Sequence, residues 1–143
     1  MFANVVAVAQ SQLGVHVRPR GSNKGPEVNK YLASVSINFP AAWCTAFVYW
    51  CHEQAGISGV PKTGGALDMW NKAPKNRVTH PQPGDVVIFD YGGGKGHTGI
   101  IEAVDGDTLT TIEGNTNDDG SREGYEVARR QRSAGGAKGF LRF

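Results

Sequence analysis

The sequence contains only two cysteines, Cys44 and Cys51, so no disulfide framework staples it. Seven residues apart on one helix, they would sit roughly 10 Å from each other, too far to bridge, and both read as free thiols. Long apolar runs are missing too. The longest near the start, Val5-Val6-Ala7-Val8-Ala9, is too short for a membrane span and has no Lys or Arg before it, as a signal peptide would. The expectation is a chain made in the cytoplasm without a signal peptide. An excess of one charge is also lacking. Fifteen Lys and Arg against 13 Asp and Glu leave a net charge of +2, which creates no field favouring nucleic acid. There is no internal repeat, and no low-complexity tract longer than Gly92-Gly93-Gly94.

What is present describes one turn-rich globular domain over residues 1–143. The composition is 39 % hydrophobic and 20 % charged, with 20 glycines and 7 prolines. A chain of this size buries about 68–70 % of its unfolded surface, enough for a true core.

Apolar spacing predicts a short helix over residues 3–14, closed by Gly14, and a second over 27–33 with Pro26 in its first turn. After Pro40, the positions Cys44, Phe47, Val48, Cys51 and Ala55 recur at helical intervals up to Gly56, so one helix face is buried with Cys44 at its N-terminal end. Residues 57–84 read as an irregular crossover around a short helix at 66–71. From Asp85 the period becomes two, and strands are expected at 86–89, 98–104, 108–113, 125–129 and 140–143. Helices first and strands second spell α+β, with an antiparallel sheet of about five strands.

A thiol becomes a nucleophile when its pKa falls, and a helix N-terminus supplies that field. Cys44 sits there, whereas Cys51 lies two turns further in and reads as a small buried hydrophobe. His52, eight residues past Cys44, would be about 12 Å along the helix and out of reach, a surface residue near its C-terminus. His16 and His80 stand in loops and read as solvated. His97 differs: it opens a strand in Gly96-His97-Thr98-Gly99, with glycines clearing space around the ring.

An imidazole base needs a third group to fix its tautomer, and Glu113 and Asn115 share one face of the next strand. Register decides whether they meet His97. A strict two-residue loop at Asp105-Gly106 would turn Glu113 to the opposite face. A three-residue loop through Asp107, or one bulge, would set His97 opposite Asn115 and Gly99 opposite Glu113, and the catalytic reading requires this register.

Together, Trp43-Cys44-Thr45-Ala46-Phe47, Pro83-Gly84-Asp85-Val86-Val87-Ile88-Phe89, Gly96-His97-Thr98-Gly99-Ile100 and Ile112-Glu113-Gly114-Asn115 resemble the CHAP family of cysteine, histidine-dependent amidohydrolases and peptidases. The similarity runs over roughly residues 25–143. It implies a papain-like fold and hydrolysis of amide bonds in bacterial peptidoglycan. Carried over by position, Cys44 corresponds to the nucleophile, His97 to the general base and acid, Glu113 to the group orienting the imidazole, and Asn115 to the second polar position. The backbone N–H of Cys44 would serve the oxyanion hole. Some members bind calcium in an acidic loop ahead of the cysteine; here that loop reads Arg18-Pro19-Arg20-Gly21-Ser22-Asn23-Lys24, so no metal and no cofactor are expected.

Trp43, Tyr91 and Gly96 are the expected substrate-binding positions; Tyr49, Trp50 and Trp70 read as core. Gly92-Gly93-Gly94-Lys95-Gly96 lacks the ending and following helix of a phosphate loop and reads as an active-site loop. The excess of Arg122, Arg129, Arg130, Arg132, Lys138 and Arg142 over Glu123 and Glu126 reads as solvated strand faces, or as attraction to the anionic wall. The expected partner is bacterial peptidoglycan, met by a monomer at the cell wall or periplasm after phage-mediated or injection-type delivery. A phage holin or a cognate immunity protein would then accompany it. A catalytically silent wall-binding or virion-structural domain and a general cysteine peptidase are the rival readings.

Overall fold

Asn4 begins the first helix: its side-chain oxygen accepts the Ala7 N–H at 2.8 Å and caps α1 (Val5–Ser11). The helix stops before Gly14, whose φ of +90° belongs to the turn that follows. In this computed structural model residues 4–19, 22–116 and 125–143 are described, with the side chains of residues 115 and 116 outside that description. Pro26 opens α2 (Pro26–Ser34), its fixed φ suiting the first helical position. Next come α3 (Cys44–Gln54) and α4 (Ala66–Lys72). No helix among the described residues is long and apolar enough to cross a membrane.

The strands are β1 (Arg77–Val78), β2 (Val86–Gly92), β3 (Lys95–Asp105), β4 (Thr108–Thr116), β5 (Glu126–Ser133) and β6 (Gly139–Leu141). They form one antiparallel sheet in the order β1-β6-β2-β3-β4-β5. The sixth strand is β1, inside the stretch expected to be irregular. Two residues carry no period, and only pairing with Phe140 and Leu141 makes them a strand.

Period-two alternation divides the apolar residues between two clusters. Val86, Ile88, Ile100, Ile112 and Leu141 join the main core with the helices, while Val87, Phe89, Ile101, Leu109 and Phe140 form a second, smaller one. Alternating back from Ile101 and forward from Leu109 puts His97, Gly99, Thr111 and Glu113 on the side of the second cluster.

Helix α3 is the central helix, buried from Cys44 through Val48 and again at Cys51 and His52. His52 is thus no surface residue. It is 1 % exposed, its Nδ1–H donates to the Val48 carbonyl at 2.8 Å, and its ring meets Phe143 edge-on at 5.6 Å. The C-terminal strand region folds over the helix end, a long-range contact that helical spacing does not reveal. Burial pushes the imidazole pKa down, which keeps the ring neutral.

The β3–β4 hairpin follows neither expected loop. Its turn residues are Gly106 and Asp107, between the paired Asp105 and Thr108. Gly106 takes a φ of +58°, and the Asp107 carboxylate accepts the Gly135 N–H at 2.7 Å. Between Ile101 and Ala103 the register shifts by one, which leaves Glu102 as a bulge, and beyond it Ile100 faces Ile112. The bulge corrects the register, so Gly99 comes opposite Glu113 as the catalytic reading requires.

Candidate active site

Cys44 is the first residue of α3, with Trp43 at the N-cap position. Its thiol meets the Thr98 backbone N–H, the Thr45 hydroxyl at 3.7 Å and the His97 ring. Burial alone would raise its pKa. The imidazolium charge, the hydrogen bond from His97 and those from Thr45 and Thr98 outweigh burial and hold the thiol below its ordinary value. The first-turn N–H groups of α3, unpaired within the helix, also favour a thiolate.

His97 lies on β3 and is 8 % exposed. Its Nε2–H donates to Glu113 Oε1 at 2.7 Å, which fixes the tautomer and leaves Nδ1 for the thiol. Desolvation disfavours the imidazolium, but Cys44 and then Glu113 override it and raise the pKa to about 10. Phe89 stacks on the ring at 6.4 Å and Tyr91 at 6.3 Å, so an aromatic wall sets its plane.

The side chain of Glu113 has no exposed surface, yet it is ionised. Oε1 accepts from His97 and from Arg132 Nη2 at 2.6 Å; Oε2 accepts from Arg132 Nε at 2.9 Å and from the Thr111 hydroxyl at 2.6 Å. Burial pushes the carboxyl up, and these partners more than reverse it, to about 2. Gly99 makes this possible, since a Cβ there would lie 2.5 Å from Glu113 Cγ.

Of the residues singled out from sequence, Cys44, His97 and Glu113 come together in one hydrogen-bonded line. Asn115 falls on β4 two residues beyond Glu113, and its side chain lies outside the described residues. Tyr91 is 45 % exposed beside His97, where it can meet a ligand. Trp43 cannot: it is fully buried, stacked on Tyr31 at 5.7 Å and pressed against Gly114. The substrate role expected of it gives way to a core role, because the chain turns its ring inward to anchor the start of α3. Gly96 is half-buried against α4, and a Cβ there would lie 2.9 Å from Leu67.

Arg132 was not legible as part of the site. It belongs to the basic stretch expected to be solvated, of which Arg122 and Glu123 lie outside the described residues. Its position on β5 alternates onto the face of Glu113, but only the register of β4 with β5 reveals this. Cys51 is fully buried, and desolvation raises its thiol pKa well above the ordinary value. Among the described residues no three His, Cys, Asp or Glu side chains group to hold a metal ion.

A family model described as the CHAP domain matches residues 36–115, more than half of the 143 and a span holding Cys44, His97, Glu113 and Asn115. "Probable endopeptidase p60" of Listeria seeligeri is 40 % identical over 57 residues, 40 % of this chain and 10 % of that protein. The protein of the same name in Listeria grayi is 32 % identical over 80 residues, 50 % of this chain and 15 % of its own. The chain therefore matches only a tenth to a seventh of these relatives' length. Among solved structures, that entitled "The crystal structure of Ly7917" superposes with a TM-score of 0.54 at 20 % identity, over 96 % of this chain and 60 % of that one. A second, of Ly7917 "with the hydrolyzing product of MDP", gives 0.54 at 21 %. That likeness is one of fold, the papain-like α+β arrangement of helices packed on an antiparallel sheet.

Proposed function

The chain belongs to the CHAP domain family, and on that footing we propose that it is a peptidoglycan hydrolase that cleaves an amide bond of the wall peptide through a thioester on Cys44. The observation that carries this reading is the imidazole of His97, held between the Cys44 thiol and an ionised, fully buried Glu113. Burying such charges is costly, and a domain that only bound the wall would gain nothing from them.

In the mechanism, the Cys44 thiolate attacks the carbonyl carbon of the amide. The oxyanion forms near the Cys44 backbone N–H at the head of α3. As the tetrahedral intermediate collapses, the His97 imidazolium gives its Nδ1 proton to the departing nitrogen, which leaves as the amine. The acyl group stays on sulfur. A water then loses its proton to Nδ1 and attacks the thioester, and the acid departs with the thiolate restored. Throughout, Glu113 holds Nε2–H and stabilises the charged ring without taking its proton. Tyr91, exposed over His97, and Asn115, two residues beyond Glu113, are the proposed neighbours of the substrate.

Digestion of purified sacculi by the wild type and by Cys44→Ala, with mass spectrometry of the released muropeptides, tests the reading. Fragments from the wild type alone support it, and their masses name the bond. No fragments from either protein, on sacculi of both diamino-acid chemistries, would favour a silent wall-binding domain; cleavage of unrelated proteins with none of sacculi would favour a general peptidase. The chemistry serves phage lysis and an injected effector equally. A cognate inhibitor protein recovered from the producing cell would select the second.

A further inference from the structure

We propose that Arg132 is a positioning residue of this site, a bidentate clamp that fixes the Glu113 carboxylate in its orientation toward His97. The inference rests on the thiol-hydrolase reading above and adds a fourth member to its machinery.

The clamp is bidentate. Arg132 Nε reaches Oε2 at 2.9 Å and Nη2 reaches Oε1 at 2.6 Å, so the plane of the carboxylate is set by the plane of the guanidinium. That plane is itself held, because the guanidinium carbon lies 5.5 Å from the centre of the Phe89 ring, the ring that also stacks on His97. One aromatic platform thus carries both the imidazole and the cation that orders its carboxylate.

Sheet geometry favours arginine here. Ala128 is opposite Glu113 and Arg132 is opposite Leu109, so the two partners are offset by four residues, roughly 13 Å along the strands. Only a long side chain can close that gap beside Thr111. A lysine would bring a point charge without the fork.

Among the described residues, the groups facing Glu113 include His97 from β3, Arg132 from β5, Tyr91 from β2 and Thr111 on its own strand, with Cys44 of α3 across the imidazole. Arg132 brings a permanent positive charge to this set. Without it, burial is opposed by fewer partners, His97 and Thr111 among them, the Glu113 carboxyl shifts upward toward its neutral form, and a protonated Glu113 no longer supports the imidazolium that in turn supports the thiolate.

The test compares wild type, Arg132→Gln, Arg132→Lys and Cys44→Ala. It measures sacculus hydrolysis against pH, the rate of Cys44 alkylation by iodoacetamide against pH (read by peptide mass spectrometry), and thermal unfolding. For Arg132→Gln the expected result is a kcat at least tenfold lower at pH 6, with the deficit shrinking by pH 8 and KM little changed. The acid limb and the onset of alkylation should both move up by a unit or more. Arg132→Lys should recover part of that shift, and it carries the test if the glutamine variant does not fold. A folded variant with unmoved acid limb and alkylation onset overturns the proposal, as does a loss equal at every pH, the mark of a purely structural role. If Cys44→Ala still hydrolyses sacculi, the thiol-hydrolase reading falls, while the alkylation profile still decides whether Arg132 acts on the Cys44-His97-Glu113 line.

Discussion

Gly99 lies against Glu113 so closely that a Cβ added to it would sit 2.5 Å from Glu113 Cγ and 3.3 Å from its carboxyl carbon. The glycine on one strand is therefore the space occupied by the carboxylate on the next. Both contacts involve a side chain held by His97, Arg132 and Thr111, which cannot move without breaking those bonds.

Gly99→Ala should displace Glu113 rather than unfold the sheet. A shift of about 1 Å in a positioned group costs on the order of 100-fold in rate. Activity on sacculi is expected to fall 10- to 100-fold while circular dichroism remains that of the wild type; unchanged activity would show that Glu113 is not held where its role requires.

The two thiols should separate cleanly. Cys44→Ala is expected to abolish hydrolysis and leave the melting temperature within a few degrees. Cys51→Ala, in the core of α3, should keep its activity and lose about 1–2 kcal/mol of stability from the small cavity. Denaturant melts and sacculus assays on the same preparations check both.

Glu113→Gln removes the charge that His97 leans on and leaves Arg132 unpaired. A neutral amide in that place can also favour the wrong tautomer of the ring, so kcat should fall by about 100-fold or more. Loss of one partner from a buried ion pair costs about 3 kcal/mol, less where one partner keeps some solvent, as Arg132 does at 22 % side-chain exposure. Urea titration and steady-state rates report the two effects separately.

The pH dependence has a definite sign at each end. Folding raises the His97 pKa to about 10, so its contribution to stability is complete below the ordinary imidazole value of about 6.5 and is lost as the pH rises toward 10. Folding lowers Glu113 to about 2; its contribution is complete above the ordinary carboxyl value and is lost as the pH falls toward 2. Activity should rise as the Cys44 thiol ionises, below the normal thiol range, hold across neutrality, and fall as His97 loses its proton near pH 10. Melting temperatures and initial rates between pH 3 and pH 11 test both statements.

The helices were legible because each carries its own signals: Pro26 at the first turn of α2, and the Cys44 to Ala55 spacing along α3. The register of β3 on β4 was legible only as a choice between alternatives. What decides it is the Glu102 bulge, and its partners are far away in sequence, Arg129 at 2.6 Å and Gln10 at 2.8 Å. His52 and Trp43 were misplaced for a related reason. Whether a polar or aromatic residue on a helix meets solvent depends on what folds over it, here Phe143 and Gly114, and no local pattern encodes that. Arg132 escaped notice because an arginine in a basic, alternating strand has the same sequence appearance whether it faces water or a buried carboxylate.

The most direct measurement is the ultraviolet thiolate absorbance of the wild type during acid titration, taken as a difference from Cys44→Ala and repeated in His97→Ala. The account predicts that Cys44 ionises below the ordinary thiol range of about 8.5, and that the midpoint climbs toward or above that range when His97 is removed. A Cys44 midpoint at or above 8.5 in the wild type, or one indifferent to the loss of His97, would contradict the thiolate-imidazolium pair on which the proposed chemistry depends.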